Sequence, residues 1–118
     1  MSAKNKELVE KINKAFSKGN TELVSVHLAD NIRWNIVGMP TISGKNNFLN
    51  TMKMMAIESF PDIVIKNIIA EGNYVVVESM GNDKTGGSYN TSYCDVYYFK
   101  NKKIHELTTY IVDITLNE

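Results

Sequence analysis

Between positions 3 and 18, apolar residues recur at Leu8, Val9, Ile12, Ala15 and Phe16, the spacing of one face of an α-helix. Gly19 is placed to end that helix. Asn20 or Thr21 can cap a short second helix whose Leu23, Val24, His27 and Leu28 share a face, before Asp30 and Asn31 release the chain. From Ile32 to Val37 the pattern alternates, with Ile32, Trp34 and Ile36 on one side and Arg33, Asn35 and Val37 on the other. Gly38, Pro40 and Gly44 turn the backbone. Ser43 or Gly44 then starts a third helix with an apolar stripe of Phe48, Leu49, Met52, Met55 and Ala56, closed by Pro61. Four strand-like runs follow, at 62–70, 74–80, 88–99 and 104–114, divided by segments rich in turn residues.

Helices first and consecutive strands afterwards predict an α+β fold, with a mainly antiparallel sheet rather than alternating parallel units. Long strands joined by short turns curl, so the sheet is expected to wrap around the N-terminal helices as a cone-like barrel with an internal pocket. No repeat or linker divides the 118 residues, and a single domain over 1–118 is expected.

Composition narrows the function classes. Hydrophobic residues make up 43% and charged residues 22%, as in ordinary globular proteins. Thirteen basic residues balance thirteen acidic ones, without the basic excess that nucleic-acid binding requires. Lys100, Lys102 and Lys103 are read as a solvated hairpin tip. No run approaches the roughly 20 apolar residues needed to span a bilayer, and the N-terminal residues lack an apolar signal core, so the cytoplasm is the expected location and no membrane partner is expected. Cys94 is the single cysteine and is read as structural. The two histidines lack the spacing to carboxylates that a metal site needs, and no Gly-rich phosphate loop runs from a strand into a helix, so neither metal nor cofactor is expected.

The strand end from Trp34 to Gly38, Gly44 opening the third helix, Phe60-Pro61-Asp62, the run IIAEGNYVVVE and the last hairpin DVYYFKNKKIHEL occur in a distinctive order. In that order the chain resembles the SnoaL-like (polyketide cyclase-like) branch of the nuclear-transport-factor-2-like, or ketosteroid isomerase-like, superfamily. The resemblance implies a mostly apolar pocket enclosed by a curved sheet and helices, commonly in a homodimer. Ketosteroid isomerases use a strand carboxylate as base, with a tyrosine and a protonated aspartic acid binding the enolate oxygen. Here the strand position matches Asn35, which has no useful basicity, and the tyrosine position matches Ile12. Only the aspartic acid is retained, as Asp95. Limonene epoxide hydrolases hold water on a strand asparagine, a role that would fall to Asn35, but their Arg-x-Asp pair corresponds to Ser79 and Gly81. The SnoaL-type cyclases use a late-strand aspartate; the candidate is Asp113, with Thr109 where relatives carry their acid.

Asp95 interrupts an otherwise apolar and aromatic strand, and a carboxylate in such a place must be paired, protonated or solvated. It reads either as a pocket acid or as a group satisfied by Arg33 or by a hydrogen bond within the cavity. Alternation puts His105, Leu107, Thr109, Ile111 and Asp113 on one face of the last strand. The candidate catalytic residues are therefore Asp95 and Asp113. The candidate ligand-binding residues are Asn35, Trp34, Met52, Tyr93, Tyr97, Thr109 and Ile111. Three functions stay open: binding of a small apolar, carbonyl-containing or polyketide- or steroid-like molecule; a cofactor-independent cyclase or isomerase using Asp95 and Asp113; and a dimeric partner-binding or stress-related module.

Overall fold

The first helix, α1 (Ser2–Lys18), turns Val9, Ile12 and Ala15 inward, with Leu8 and Phe16 packed beside them. It ends in a Schellman motif: the Gly19 amide donates to the Phe16 carbonyl at 3.2 Å and the Asn20 amide to the Ala15 carbonyl at 2.9 Å. Gly19 has φ +66°, a conformation a side chain would strain. Asn20 then caps α2 (Thr21–Ser25), its Oδ1 accepting from the Leu23 amide at 3.3 Å. The computed structural model describes residues 2–58, 63–81 and 91–113. Pro61, Phe60, Asp62 and the glycines at 86 and 87 lie outside them.

Strand β1 (Leu28–Ile36) begins four residues before the alternation at Ile32 predicts. Asp30 and Asn31 are exposed strand residues rather than a release from a helix, and Leu28 opens the strand. Its other face follows the expected alternation, with Ile32, Trp34 and Ile36 buried. Strand β2 (Ile42–Ser43), too short to announce itself in sequence, pairs antiparallel with β1. Helix α3 (Lys45–Glu58) buries Phe48 and Met52. Strands β3 (Ile63–Glu71), β4 (Tyr74–Gly81), β5 (Thr91–Lys100) and β6 (Lys103–Asp113) form a meander. Asn101 and Lys102 make the β5–β6 turn with φ of 52° and 66°, the tight hairpin geometry that twisted strands favour. Lys103 is more than a solvated tip residue, since its ammonium donates to the Val26 carbonyl at 2.8 Å.

The fold is mixed α+β, and its six strands run in the order β2-β1-β6-β5-β4-β3 without closing. One pair is parallel: β1 lies beside β6, with Trp34 opposite Leu107 and Ile36 opposite Thr109. Register shifts near Lys66 in β3 and His105 in β6 bend the sheet around the helices. The second shift also corrects the expected face of the last strand. His105 is the extra residue, so Ile104, not His105, joins Leu107 in the core. Trp34, Phe16 and Phe48 bring β1, α1 and α3 together, with ring centroids 4.6 Å apart for Trp34–Phe48 and 5.8 Å for Phe16–Trp34.

Candidate functional site

Among the described residues, one end of the concave face is filled and the other, where apolar residues stay partly exposed, is the more open. Val75, Val77, Tyr97, Leu107 and Ile104 are buried under the helices. Toward the end where β4 stops and β5 begins, Ile63, Ile65 and Ile111 on the same face remain 39%, 36% and 47% exposed. Asp95 stands at the boundary, paired with Val77 on one side and Thr109 on the other.

A directed chain of hydrogen bonds reaches it. Trp34 Nε1–H donates to Thr109 Oγ1 at 2.9 Å, and Thr109 Oγ1–H donates to Asp95 Oδ1 at 2.6 Å. The indole can only donate, so the threonine oxygen accepts there and its own hydrogen goes to the carboxyl. Among the described residues Asp95 has no second hydrogen-bond partner, and no buried side-chain oxygen is left unpaired. Burial pushes the Asp95 carboxyl up to about 6, a rise that the Thr109 hydrogen bond partly offsets. Arg33 is an exposed residue on the opposite face of β1, and the carboxyl is satisfied by Thr109 instead.

The tyrosines of β5 frame the acid. Tyr97 is buried, shares a hydrogen bond with Asn13 of α1, and is raised well above the ordinary tyrosine value by burial and then by the nearby Asp95 charge. Tyr93, two residues toward the open end, is half-buried and also raised, chiefly by burial. Cys94 points to the other face; burial, then Asp95 and Glu78, push its thiol up, the opposite of an activated nucleophile.

The remaining candidates separate. Met52 is a core residue of α3, and Ile111 lines the open end. Asp113 sits at the end of β6, opposite Thr91 and four residues beyond Thr109, roughly 13 Å along the strand. Asn35 faces away from Trp34, half-exposed, and its Oδ1 accepts from the Thr41 hydroxyl at 2.7 Å. The structure thus brings Trp34, Thr109, Asp95, Tyr97 and Tyr93 together, and leaves Asn35 outside the cone. Asn13 was missed by sequence reasoning; its position one residue after Ile12 on the inward side of α1 was the available signal. Among the described residues no group of three or more potential ligands could hold a metal ion, and no helix is long and apolar enough to cross a membrane.

Residues 9–107 match the SnoaL-like domain family. An NTF2-like protein of unknown function from Cytophaga hutchinsonii is 28% identical, with 91% of this chain and 98% of that one covered and a TM-score of 0.72. An LEH-like epoxide hydrolase of M. tuberculosis superposes with a TM-score of 0.82 at 19% identity, covering 98% and 89%. A putative ketosteroid isomerase from Kribbella flavida gives 0.83 at 12% identity, covering 95% and 80%. No curated protein matches the sequence at a significant level.

Proposed function

This chain belongs to the SnoaL-like domain family, and from that premise we propose that the open end of its cone binds a small apolar molecule through one hydrogen-bond-accepting group, such as a carbonyl, at Asp95 Oδ2. The observation that carries the reading is a largely buried carboxyl at the boundary of an apolar core, its Oδ1 committed to Thr109, with no cation among the causes of its raised pKa. With a pKa of about 6 the group is about nine-tenths ionised at pH 7 before a ligand enters. An apolar ligand removes more water, raises the pKa further and draws in a proton, so the bound acid becomes a donor.

Calorimetry with a panel of steroid-like and polyketide-like ketones tests this. Binding should take up a proton, and affinity should fall by up to tenfold per pH unit above 6. Asp95→Asn, whose amide can still donate, should bind with that pH dependence removed. Affinity that rises with pH through 6, as a protonated amine ligand would give, or no ketone binding at millimolar concentration, would overturn the reading.

A cyclase or isomerase activity would run through the same carboxyl, as the names of the isomerase- and hydrolase-like neighbours suggest. Asp113, four residues beyond Thr109 on the same face of β6, is the second carboxyl such an enzyme could use on a long substrate. A second reading concerns assembly. The outer face of β3 to β6 carries a groove of about 290 Å³ lined by Ile69, Val76, Cys94, Tyr110 and Val112, with Glu78 held by Asn67 at 2.8 Å. Four strands of this length offer roughly 600 Å² of mostly apolar area, approaching the ~800 Å² per partner of a stable interface, and a second copy supplies a self-complementary cover. Light scattering should give a dimer that Tyr110→Glu dissociates; a wild-type monomer at tens of micromolar refutes it.

A further inference from the structure

The chain Trp34 → Thr109 → Asp95 runs in one direction. Because the indole N–H has no acceptor capacity, it fixes which way the Thr109 hydroxyl turns, and that rotor in turn fixes which carboxyl oxygen of Asp95 is occupied. All three residues sit on rigid elements: Trp34 on β1, Thr109 on the central β6 and Asp95 on the adjacent β5. Trp34 is further clamped by Phe16 and Phe48, so the first donor of the chain has little freedom to move.

We propose that Trp34 and Thr109 are positioning residues that hold Asp95 with Oδ1 as a permanent acceptor and Oδ2 as the oxygen that gains or loses the proton facing the ligand. The inference deepens the reading of Asp95 as the ligand-facing acid and rests on it for its functional meaning. It has a consequence that needs no ligand. When Asp95 ionises, its oxygen pulls harder on the Thr109 hydrogen, which makes the threonine oxygen a better acceptor for the indole N–H. The single tryptophan of the chain therefore reports the protonation state of the site.

Among the described residues, the titratable groups around Asp95 include the Asp113 carboxyl, four residues beyond Thr109 on the same face of β6. From β5, Tyr93 and Tyr97 face the same side and both have raised pKa values, and the Cys94 thiol on the opposite side is raised too. From β4 the facing residue is Val77, and from β6 it is Thr109. From α1 and α3, Phe16 and Phe48 pack on Trp34, and Asn13 is bonded to Tyr97. His27 lies at the other end of the sheet, beside Lys103 and Lys11.

The test is a pH titration of uniformly labelled protein between pH 4.5 and 8, read at the one indole Nε1–H resonance and at the Asp95 carboxyl carbon. The indole proton should move downfield as pH rises, with a midpoint near the Asp95 value of about 6. Asp95→Asn should flatten it, and Thr109→Ser, which restores the hydroxyl, should keep it. Thr109→Val removes the donor to the charged form and should raise the carboxyl midpoint by roughly one pH unit. A flat indole signal in the wild type, the same titration in Asp95→Asn, or an unmoved carboxyl midpoint in Thr109→Val would overturn the proposal. These outcomes are separable from the binding test: a flat indole beside pH-dependent ketone binding refutes the positioning role alone, and a titrating indole without ketone binding refutes the ligand reading alone.

Discussion

Replacing Asp95 by asparagine should make the protein more stable at neutral pH than the wild type relative to pH 4. In the folded chain the carboxyl is raised from 3.8 to about 6 because burial disfavours its charge. The folded state therefore binds the proton more tightly than the unfolded state. Well below the unfolded value of 3.8 both states are protonated and the residue has no effect on pH dependence. As pH rises through 4 to 6 the unfolded chain ionises first, and stability is lost until both states are ionised. A displacement of about two pKa units corresponds to ~3 kcal/mol. This is a large fraction of the roughly 5–15 kcal/mol that holds a small domain together. Urea unfolding of wild type and Asp95→Asn, followed by Trp34 emission from pH 4 to 7.5, isolates the effect, since the other titrating groups cancel in the difference. The variant's advantage should grow by roughly 2.4 kcal/mol across that range, about 2 kcal/mol of it between pH 4 and 6. A difference that stays constant to within about 0.5 kcal/mol would mean that Asp95 is solvated in the folded protein, and the buried-acid argument would fail.

Asn35→Ala should leave ketone affinity within about twofold of wild type, because the side chain bonds to Thr41 outside the cone; calorimetry showing a loss beyond tenfold would return Asn35 to the ligand. Phe48→Ala should cost about 3–5 kcal/mol, since the ring is 1% exposed and packs on both Trp34 and Phe16. A thermal melt lowered by only a few degrees would show that the aromatic cluster is looser than its centroid distances imply.

The helices were legible because their apolar residues recur with a period that only one face of a helix can satisfy, and the same holds for the buried row Ile32, Trp34 and Ile36. The start of β1 was not. Asp30 and Asn31 are strand residues with exposed side chains, and polar residues in that role read as a turn. Asn35 is the sharper case. Simple alternation already put it opposite Trp34, and the structure follows the alternation; the family resemblance pointed it into the cavity. A backbone periodicity is enforced by geometry in every chain, whereas a matched position transfers a role only if the local register is also shared. The parallel pairing of β1 with β6 was illegible for another reason. It joins residues more than 70 positions apart, and no local signal encodes such a partner.

That long-range pairing would build no acid site without the irregularity at His105. The β5–β6 ladder leaves its two-residue turn with Lys100 opposite Lys103 and Phe99 opposite Ile104. Continued without a shift, it would set Thr108 across from Asp95. The extra residue moves the register by one, so Thr109 takes that place and Thr108 pairs with Val96. Because side chains alternate, a one-residue slip exchanges the faces of every residue beyond it. Thr109 thereby comes onto the face of Asp95 and Trp34, with Leu107 in the core, while Thr108 turns toward the face of Asn35. The bulge is thus the structural cause of the hydrogen-bond chain. Asp95 is legible as an interruption of an apolar strand, but its partner is fixed by a backbone feature one turn of the hairpin away, where the sequence shows only a histidine.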